Sequence, residues 1–139
     1  MNTILAPVMA LVGWTFVMWL WMYATRIPAM QAAKINAAKL KQKSDLDPLP
    51  ISVKQIADNY NHLHEQPVLF YAVCLVIAVT GGAGAAALGL AWAYVALRVA
   101  HSLMQATINF VPVRFAIFTL GSIVLFVLWL ITALEIFAA

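Results

Sequence analysis

Three long stretches without a charged residue constrain the fold of this chain more than any other feature. Residues 3–25, 66–97 and 115–134 span 23, 32 and 20 residues, and none of these is charged. A transmembrane helix needs about 20 mainly apolar residues, so the first and third stretches each predict one helix. The middle stretch is too long for a single span. Gly81, Gly82 and Gly84 mark a turn that divides it, and the sequence therefore predicts four transmembrane helices.

The two halves of the middle stretch reach full length only by extending into polar sequence on either side. We predict helices at about residues 3–25, 57–80, 84–107 and 114–137, with a loop at about 27–56, in one domain covering residues 1–139. Composition agrees, because 65% of the residues are hydrophobic and only 9% are charged. Roughly a quarter of a soluble domain is charged. The predicted fold class is an all-α, integral membrane four-helix bundle.

Basic residues are concentrated between the first two predicted helices. Six of the eight lysines and arginines fall there: Arg26, Lys34, Lys39, Lys41, Lys43 and Lys54. By the positive-inside rule this loop is cytoplasmic, so both termini and the glycine turn face outside. We therefore expect a multi-pass membrane protein, in the inner membrane if the source is bacterial. Because topology explains the basic loop, we predict no binding to nucleic acid.

Polar side chains recur at helical spacing on the second and third predicted helices. The second helix carries them at i, i+3 or i+4, and i+7: Asp58, Asn61 or His62, and Glu65. The third helix repeats the spacing with Arg98, His101, Ser102 and Gln105. At a rise of 1.5 Å per residue, Glu65 and Arg98 lie about 12 Å and 14 Å from the predicted cytoplasmic ends of their helices. We expect the two stripes to meet in the cytoplasmic half of the membrane.

Charged side chains inside a membrane are costly and normally face a partner or an aqueous cavity. Glu65 and Arg98 predict an ion pair, because each supplies the other's counter-charge. Arg114 at the start of the fourth helix and Arg26 at the end of the first add positive charge to the same region. Only two acids, Asp58 and Glu65, accompany these three arginines. The positive surplus predicts an anionic ligand, and a purely structural ion pair between Glu65 and Arg98 is the alternative.

Histidines near Glu65 raise the question of a metal ion. The side chains with suitable nitrogen and oxygen ligands are His62, His64, Glu65 and His101. His62 and His64 are two residues apart on a helix and point to different sides, so we predict no metal site. The sequence also has no Gly-rich phosphate loop, no Ser-His-Asp arrangement and no CxxC pair. Cys74 is the one cysteine, so no disulfide forms within the chain.

The stretch RVAHSLMQATINFVPVR, residues 98–114, resembles part of the MAPEG family, the membrane-associated proteins in eicosanoid and glutathione metabolism. RVAH followed by VPVR is similar to motifs of the family's microsomal prostaglandin E synthases and glutathione transferases. Glu65 to Phe70 resembles the second-helix signature E-x-x-x-x-F. The resemblance covers nearly the whole chain. It implies a homotrimer of four-helix subunits that binds glutathione between neighbouring subunits, toward the cytoplasmic side.

The resemblance also implies roles for individual residues. Arg114 would be catalytic, because its positive charge stabilises the thiolate of glutathione. The residues implied to bind this cofactor are Arg26, Asn61, His62, Glu65, Arg98, His101 and Gln105. A lipophilic electrophile or a lipid hydroperoxide would enter from the bilayer. The implied activity is that of a membrane-bound glutathione, or related thiol, transferase or peroxidase.

Several positions differ from the family pattern. The second-helix pattern is R-A-x-x-N-x-x-E, whereas Asp58, Asn59 and His62 hold the positions of the arginine, the alanine and the asparagine. Gln105 and Phe118 stand where tyrosines are expected. Asp58 reverses the charge at a position expected to meet a carboxylate. A second interpretation therefore stays open: a non-catalytic protein that binds a lipid or another anion, or that serves as a trimeric membrane scaffold.

Overall fold

The computed structural model describes residues 4–82 and 84–139, so residue 3 and Ala83, which belong to the predicted first helix and glycine turn, lie outside it. The described residues form five α-helices and no β-strand: α1 (Leu5–Ala32), α2 (Ile51–His62), α3 (Gln66–Thr80), α4 (Ala85–Ala106) and α5 (Val111–Ala138). Because α2 and α3 together make one apolar segment, four segments are long and apolar enough to cross a membrane. The protein is an all-α, multi-pass integral membrane four-helix bundle.

The first helix extends beyond residue 25, and the first loop is correspondingly short. α1 continues to Ala32 through good helix formers such as alanine, methionine and glutamine. It ends just before Lys34, which adopts a φ of 57°. The loop then holds two short 3-10 turns, Ala37–Lys39 and Lys43–Leu46. Arg26 consequently lies within α1 and not at its end.

The second span is broken where the sequence predicts one helix over about 57–80. α2 ends at His62, and α3 begins at Gln66 with Pro67 in its first turn. Proline has no N–H to donate to a carbonyl four residues earlier, and its ring disfavours helical geometry in the preceding residue. The chain therefore turns at residues 63–65. Because of this break, Asp58 and Glu65 do not share one helical face, and the predicted continuous stripe on the second helix is wrong.

The two ends of the bundle are closed by different contacts. Gly81 ends α3 with a φ of 73°, a left-handed conformation that glycine adopts without a steric cost. A Cβ on Gly82 would lie 2.9 Å from Glu135 Oε2, so this turn packs against the end of α5. At the opposite end, Gln55 Nε2 donates to the Thr107 carbonyl at 2.8 Å and ties α2 to the end of α4. Successive spans therefore alternate in direction.

The buried core is narrow compared with the apolar content of the chain. It runs along the bundle through fully buried side chains that include Leu11, Met18, Phe70, Tyr94 and Leu128. Large apolar side chains also cover the outside, and Val79 and Phe137 are each 87% exposed. Apolar surface on this scale marks contact with a membrane or with another protein chain. The bundle thus presents its polar groups mainly inside and in the first loop.

Candidate functional site

A polar cavity of about 300 Å³ lies between the break in the second span, α4 and the first turns of α5. We call it the arginine cavity, and its lining residues are His62, Glu65, Gln66, Arg98, His101, Val111, Arg114, Phe115 and Phe118. Five of the eight residues predicted to form the site are among them. The volume is at the lower end of the range of small-molecule sites, about 300–1,000 Å³. The cavity therefore has room for a small ligand.

Each element around the arginine cavity contributes one part of it. The break between α2 and α3 brings His62 and Glu65 to its edge. α4 supplies Arg98 and His101, which share a helical face because they are three residues apart. α5 supplies Arg114 from its first turn, where a proline at the helix start is well tolerated. Three separate backbone segments thus place two cations, one acid and two imidazoles around one space.

Arg98 is a buried cation whose hydrogen bonds are only partly satisfied. Its side chain is 4% exposed, and Nη1 donates to His101 Nδ1 at 3.1 Å. Nε and Nη2 are buried and have no hydrogen-bond partner among the described residues. Unpaired buried polar groups are rare, and a guanidinium in a membrane is costly without a counter-charge. Arg98 is therefore placed to be completed by an anion.

The contact with Arg98 also determines the tautomer of His101. A guanidinium has donors and no acceptor, so His101 Nδ1 must accept the hydrogen bond. Its proton then lies on Nε2, and the ring is neutral. Since His101 lines the arginine cavity, it offers that cavity an N–H donor.

His62 has the opposite tautomer. Its Nδ1 lies 3.2 Å from Gln105 Oε1, and an amide oxygen only accepts, so Nδ1 carries the proton. In the neutral ring Nε2 is then an acceptor. Gln105 is 2% exposed and lies behind His62, outside the cavity lining. The ring centroids of His62 and His101 are 6.5 Å apart, so one cavity holds an imidazole acceptor and an imidazole donor.

Glu65 does not form the predicted ion pair with Arg98. Within residues 4–82 and 84–139, the one ion pair joins Lys43 Nζ and Asp58 Oδ1 at 3.3 Å. Arg98 instead bonds to His101 on its own helix, while the turn before α3 leaves Glu65 exposed at the edge of the cavity. The prediction of a direct contact is therefore wrong, and the Glu65 carboxylate is open to a ligand.

Arg26 and Asn61 lie in a second cavity of about 620 Å³ beneath the first loop, which we call the loop cavity. Asp58 is there too, paired with Lys43. Within one chain, Arg26 and Asn61 are therefore not brought together with Arg98 and Arg114. The reversed charge at Asp58 is likewise directed to the loop, so the arginine cavity keeps its positive surplus.

Arg114 is held by a residue that the sequence did not single out. Its Nη1 donates to Asn109 Oδ1 in the turn between α4 and α5. Asn109 has a φ of 52°, a left-handed conformation in which asparagine is enriched among non-glycine residues. The sequence feature that could have indicated this contact is an asparagine in the very short connection before VPVR. The turn thus orients the guanidinium that lines the cavity.

Gln66 is a second residue that sequence reasoning missed. Its Nε2 donates to Ser122 Oγ at 2.7 Å, and its Oε1 accepts from the Tyr94 hydroxyl at 3.1 Å. It also lines an apolar groove of about 500 Å³ between α3 and α5, with Leu69, Ala72, Val73, Ser122, Leu125, Phe126 and Trp129. Gln66 therefore stands where the arginine cavity meets this apolar groove. A lone amide beside a proline in an apolar run was the available signal.

His64 lies away from the arginine cavity, on the groove between α1 and the second span. Its Nδ1 donates to the Tyr60 carbonyl at 2.9 Å, and the two rings lie 4.6 Å apart. In the part of the chain that the structure describes, no group of three His, Cys, Asp or Glu side chains is arranged to hold a metal ion. His62 and His64 therefore lie in different surroundings: His62 lines the arginine cavity, and His64 lines the groove between α1 and the second span.

Comparison with known families supports the resemblance seen in the sequence. The MAPEG family model matches residues 4–134, a range that includes the first three apolar segments, most of the fourth and every residue lining the arginine cavity. Comparison with curated proteins gave no match, and neither did comparison with solved structures. With the family model covering nearly the whole chain, the protein belongs to the MAPEG family.

Proposed function

We propose that the protein is a membrane-bound enzyme that activates glutathione, or a related thiol, against lipophilic electrophiles or lipid hydroperoxides. One observation carries the proposal: Arg98 and Arg114 line one cavity, and two buried nitrogen atoms of Arg98 have no partner within residues 4–82 and 84–139. Family membership supports glutathione metabolism as the chemical context. The ligand class that fits such a cavity is a small anion able to occupy both guanidinium groups.

The residues lining the arginine cavity complement the charges of glutathione. Glutathione has two carboxylates, one ammonium group and, when activated, a thiolate. Arg98 and Arg114 offer two cations, the Glu65 carboxylate suits an ammonium group, and His101 offers an Nε2–H donor. Guanidinium groups bind carboxylates through two parallel hydrogen bonds, which gives orientation as well as energy. Binding of this kind would provide hydrogen-bond partners for the unpaired nitrogens of Arg98.

In this proposal Arg114 is the catalytic residue. Its guanidinium, oriented by Asn109, stabilises negative charge on the sulfur atom of the bound thiol. Fixed charges act more strongly in a partly dry site than in water, because the surrounding dielectric is low. The thiolate is the nucleophilic form of a thiol, so its stabilisation raises the rate of attack on an electrophile.

The apolar groove between α3 and α5 supports a lipophilic second substrate. It meets the arginine cavity at Gln66, which lines both. A substrate held in the groove would present its polar reactive end at the cavity while its tail stays among apolar side chains. This arrangement suits molecules that reach the protein through the bilayer.

We further propose a homotrimer with its first loop in the cytoplasm. The loop location rests on the basic residues between the first two spans, and the exposed apolar faces of the bundle provide surface for neighbouring subunits as well as lipid. Since Arg26 and Asn61 line the loop cavity within one chain, their contribution to glutathione binding requires a neighbouring subunit. Cross-linking followed by mass measurement tests the trimer.

A non-catalytic role is the second candidate, and the loop cavity favours it. Its lining includes four basic residues and two acids: Arg26, Lys41, Lys43, Lys54, Asp47 and Asp58. A net positive cavity beside the membrane suits the phosphate of a lipid headgroup. In that case the protein would bind lipid and would not consume glutathione.

The two candidates differ in turnover. Detergent-purified protein is incubated with glutathione and either a lipophilic electrophile or a lipid hydroperoxide, and glutathione consumption is measured. We expect turnover that Arg114→Ala lowers strongly and that Lys41→Ala, a change in the loop cavity, leaves intact. No consumption with either substrate class, or equal loss in both variants, would contradict the enzymatic function.

A further inference from the structure

We propose that His62 accepts the thiol proton when glutathione is activated in the arginine cavity. This inference rests on the proposed function and adds to it the group that takes the proton, whereas Arg114 stabilises the sulfur that remains. In the pattern of the family that the sequence resembles, the position of His62 is an asparagine, a side chain that is not a base.

The tautomer of His62 provides the acceptor. Its Nδ1–H donates to Gln105 Oε1 at 3.2 Å, so the lone pair lies on Nε2. Gln105 is almost fully buried, which holds the ring in this orientation. Base and orienting partner form the usual arrangement for activating a nucleophile. Gln105 acts in this scheme as a positioning residue, and His62 touches the thiol.

The other ionisable groups facing His62 are less suited to accept this proton. They come from the turn before α3, from α4 and from α5: Glu65, Arg98, His101 and Arg114. The arginines have no acceptor, and the Nδ1 lone pair of His101 is already used by Arg98 while its Nε2 carries a proton. Glu65 is exposed at the cavity edge, and a carboxylate is ordinarily a weaker base than an imidazole. His62 is the remaining acceptor.

The proton transfer balances within the cavity. The S–H bond breaks, its electron pair stays on sulfur, and the proton forms an N–H bond at His62 Nε2. A thiolate beside Arg114 and an imidazolium at His62 result. Attack of the thiolate on an electrophile leaves negative charge on the acceptor molecule, and His62 returns the proton there. The net reaction adds the thiol across the electrophile and restores neutral His62.

Charge complementarity supports this transfer in the occupied site. The cavity itself has Glu65 as the one acid in its lining. Bound glutathione brings two carboxylates and a developing thiolate. These negative charges offset the imidazolium that forms at His62.

A proton count tests the proposal directly. Glutathione is added to detergent-purified protein at about pH 7.5, where free thiols are mostly protonated. Thiolate is measured by ultraviolet absorbance, and protons released to a weakly buffered solution are measured with a pH indicator. S-Methylglutathione, which cannot form a thiolate, provides the background release to subtract. We expect wild type to release almost no proton per thiolate formed, because His62 keeps it.

His62→Asn restores the residue of the family pattern and removes the base. We expect this variant to release about one proton per thiolate formed. His64→Asn is the matched control two residues away, on the other groove, and should behave as wild type. If His62→Asn does not assemble, His62→Gln replaces it.

Two results would overturn the role of His62 but would not contradict glutathione activation. In the first, the wild-type protein releases one proton per thiolate formed. In the second, Glu65→Gln changes the proton count and His62→Asn does not. Absence of any thiolate in wild-type protein that binds S-methylglutathione would overturn both the thiolate mechanism and the role of His62. Absence of binding of either compound would overturn the proposed function itself, and with it this inference.

Discussion

The arginine cavity and the loop cavity both collect basic side chains, but they satisfy them differently. In the loop cavity Lys43 pairs with Asp58, and Lys54 Nζ donates to the Asp47 carbonyl at 3.4 Å. Lys43 is 84% exposed, so water also solvates it. In the arginine cavity Arg98 is 4% exposed and keeps two nitrogens without a partner among the described residues. Arg26 in the loop cavity also has one buried nitrogen, Nε, without a partner among the described residues, but its side chain is only partly buried. The contrast between the cavities therefore rests on Arg98, whose almost fully buried charge calls for a ligand.

Burial explains why similar basic side chains differ in energetic importance between the two cavities. Exposed ion pairs contribute little, because water and salt screen them. A guanidinium within a membrane span has no such screening and depends on specific partners. Changes in the two cavities should therefore have unequal effects, and each prediction below tests that inequality.

The largest effect is expected at Arg114. Arg114→Ala should lower kcat/KM for glutathione-dependent turnover by about 100- to 1,000-fold, the usual cost of removing one group that stabilises developing charge. Initial rates with a lipophilic electrophile provide the measurement. Lys43→Ala in the loop cavity is the matched control and should change the rate less than twofold. Equal losses in the two variants would remove the distinction between the cavities.

A smaller loss is expected from Arg98→Lys, which keeps the charge. Lysine lacks the planar guanidinium group that binds a carboxylate through two hydrogen bonds. It also cannot donate to His101 in the same geometry as Arg98. We expect glutathione affinity to fall about tenfold, which corresponds to about 1.4 kcal/mol. Calorimetric titration measures it. Unchanged affinity would show that Arg98 acts only as a structural group within α4.

Gln66 tests the boundary between the arginine cavity and the apolar groove. Gln66→Leu removes hydrogen bonds to Ser122 and Tyr94 and should lower the free energy of unfolding by about 1–2 kcal/mol. It should also raise KM for the lipophilic substrate more than KM for glutathione. Thermal unfolding and steady-state kinetics measure the two effects. Ser122→Ala removes one of these bonds and should show a smaller version of both.

The smallest effect is expected at Asp45 in the first loop. Asp45 Oδ2 accepts from the backbone N–H groups of Lys41 and Gln42 at 2.9 and 3.2 Å, and these bonds hold the pKa of the carboxyl below its usual 3.8. Because the folded pKa is the lower one, the local stabilisation is present above pH 3.8 and is lost as pH falls through the folded value.

Asp45→Asn should reproduce this loss at neutral pH, as faster hydrogen exchange at the Lys41 and Gln42 amides. Glutathione turnover should stay unchanged, because Asp45 does not line the arginine cavity. A large loss of turnover in Asp45→Asn would connect the loop to the reaction.

Most of the fold could be predicted from the hydropathy of the sequence. The uncharged stretches and the glycine turn indicated four spans, because membrane thickness sets the required length and a glycine cluster interrupts it. The break before Gln66 was not predicted, although Pro67 marks it, because the surrounding run is as apolar as a continuous span. Helix ends such as Ala32 extended further than predicted, because helix formers continue past the last apolar residue.

The sequence allowed us to predict that most residues of the candidate site lie near one another, but not which contacts they make. Arg98, His101, Arg114, Glu65 and His62 do line one cavity, since spacing along α4 and the short turn into α5 restrict where they lie. The partners of these residues were not predictable. Arg98 bonding to His101 in place of Glu65 depends on side-chain rotamers and on the helix break. Such contacts leave no pattern in a single sequence.

The separation of Arg26 and Asn61 from the cavity has a similar cause. Spacing along a helix predicts the depth of a residue in a membrane, but it does not specify which side of the helix meets a given neighbour. Their position in the loop cavity shows that only the helix packing decides which polar groups meet.

Calorimetric titration of the detergent-purified protein with glutathione tests the central claim most directly, namely that the arginine cavity is a glutathione site. We expect binding in the wild type, near-complete loss in Arg98→Ala/Arg114→Ala, and unchanged binding in Lys41→Ala/Lys43→Ala. Thermal unfolding of each variant confirms that the fold is intact. No binding at millimolar glutathione, or loss of binding in the loop-cavity variant alone, would contradict the claim.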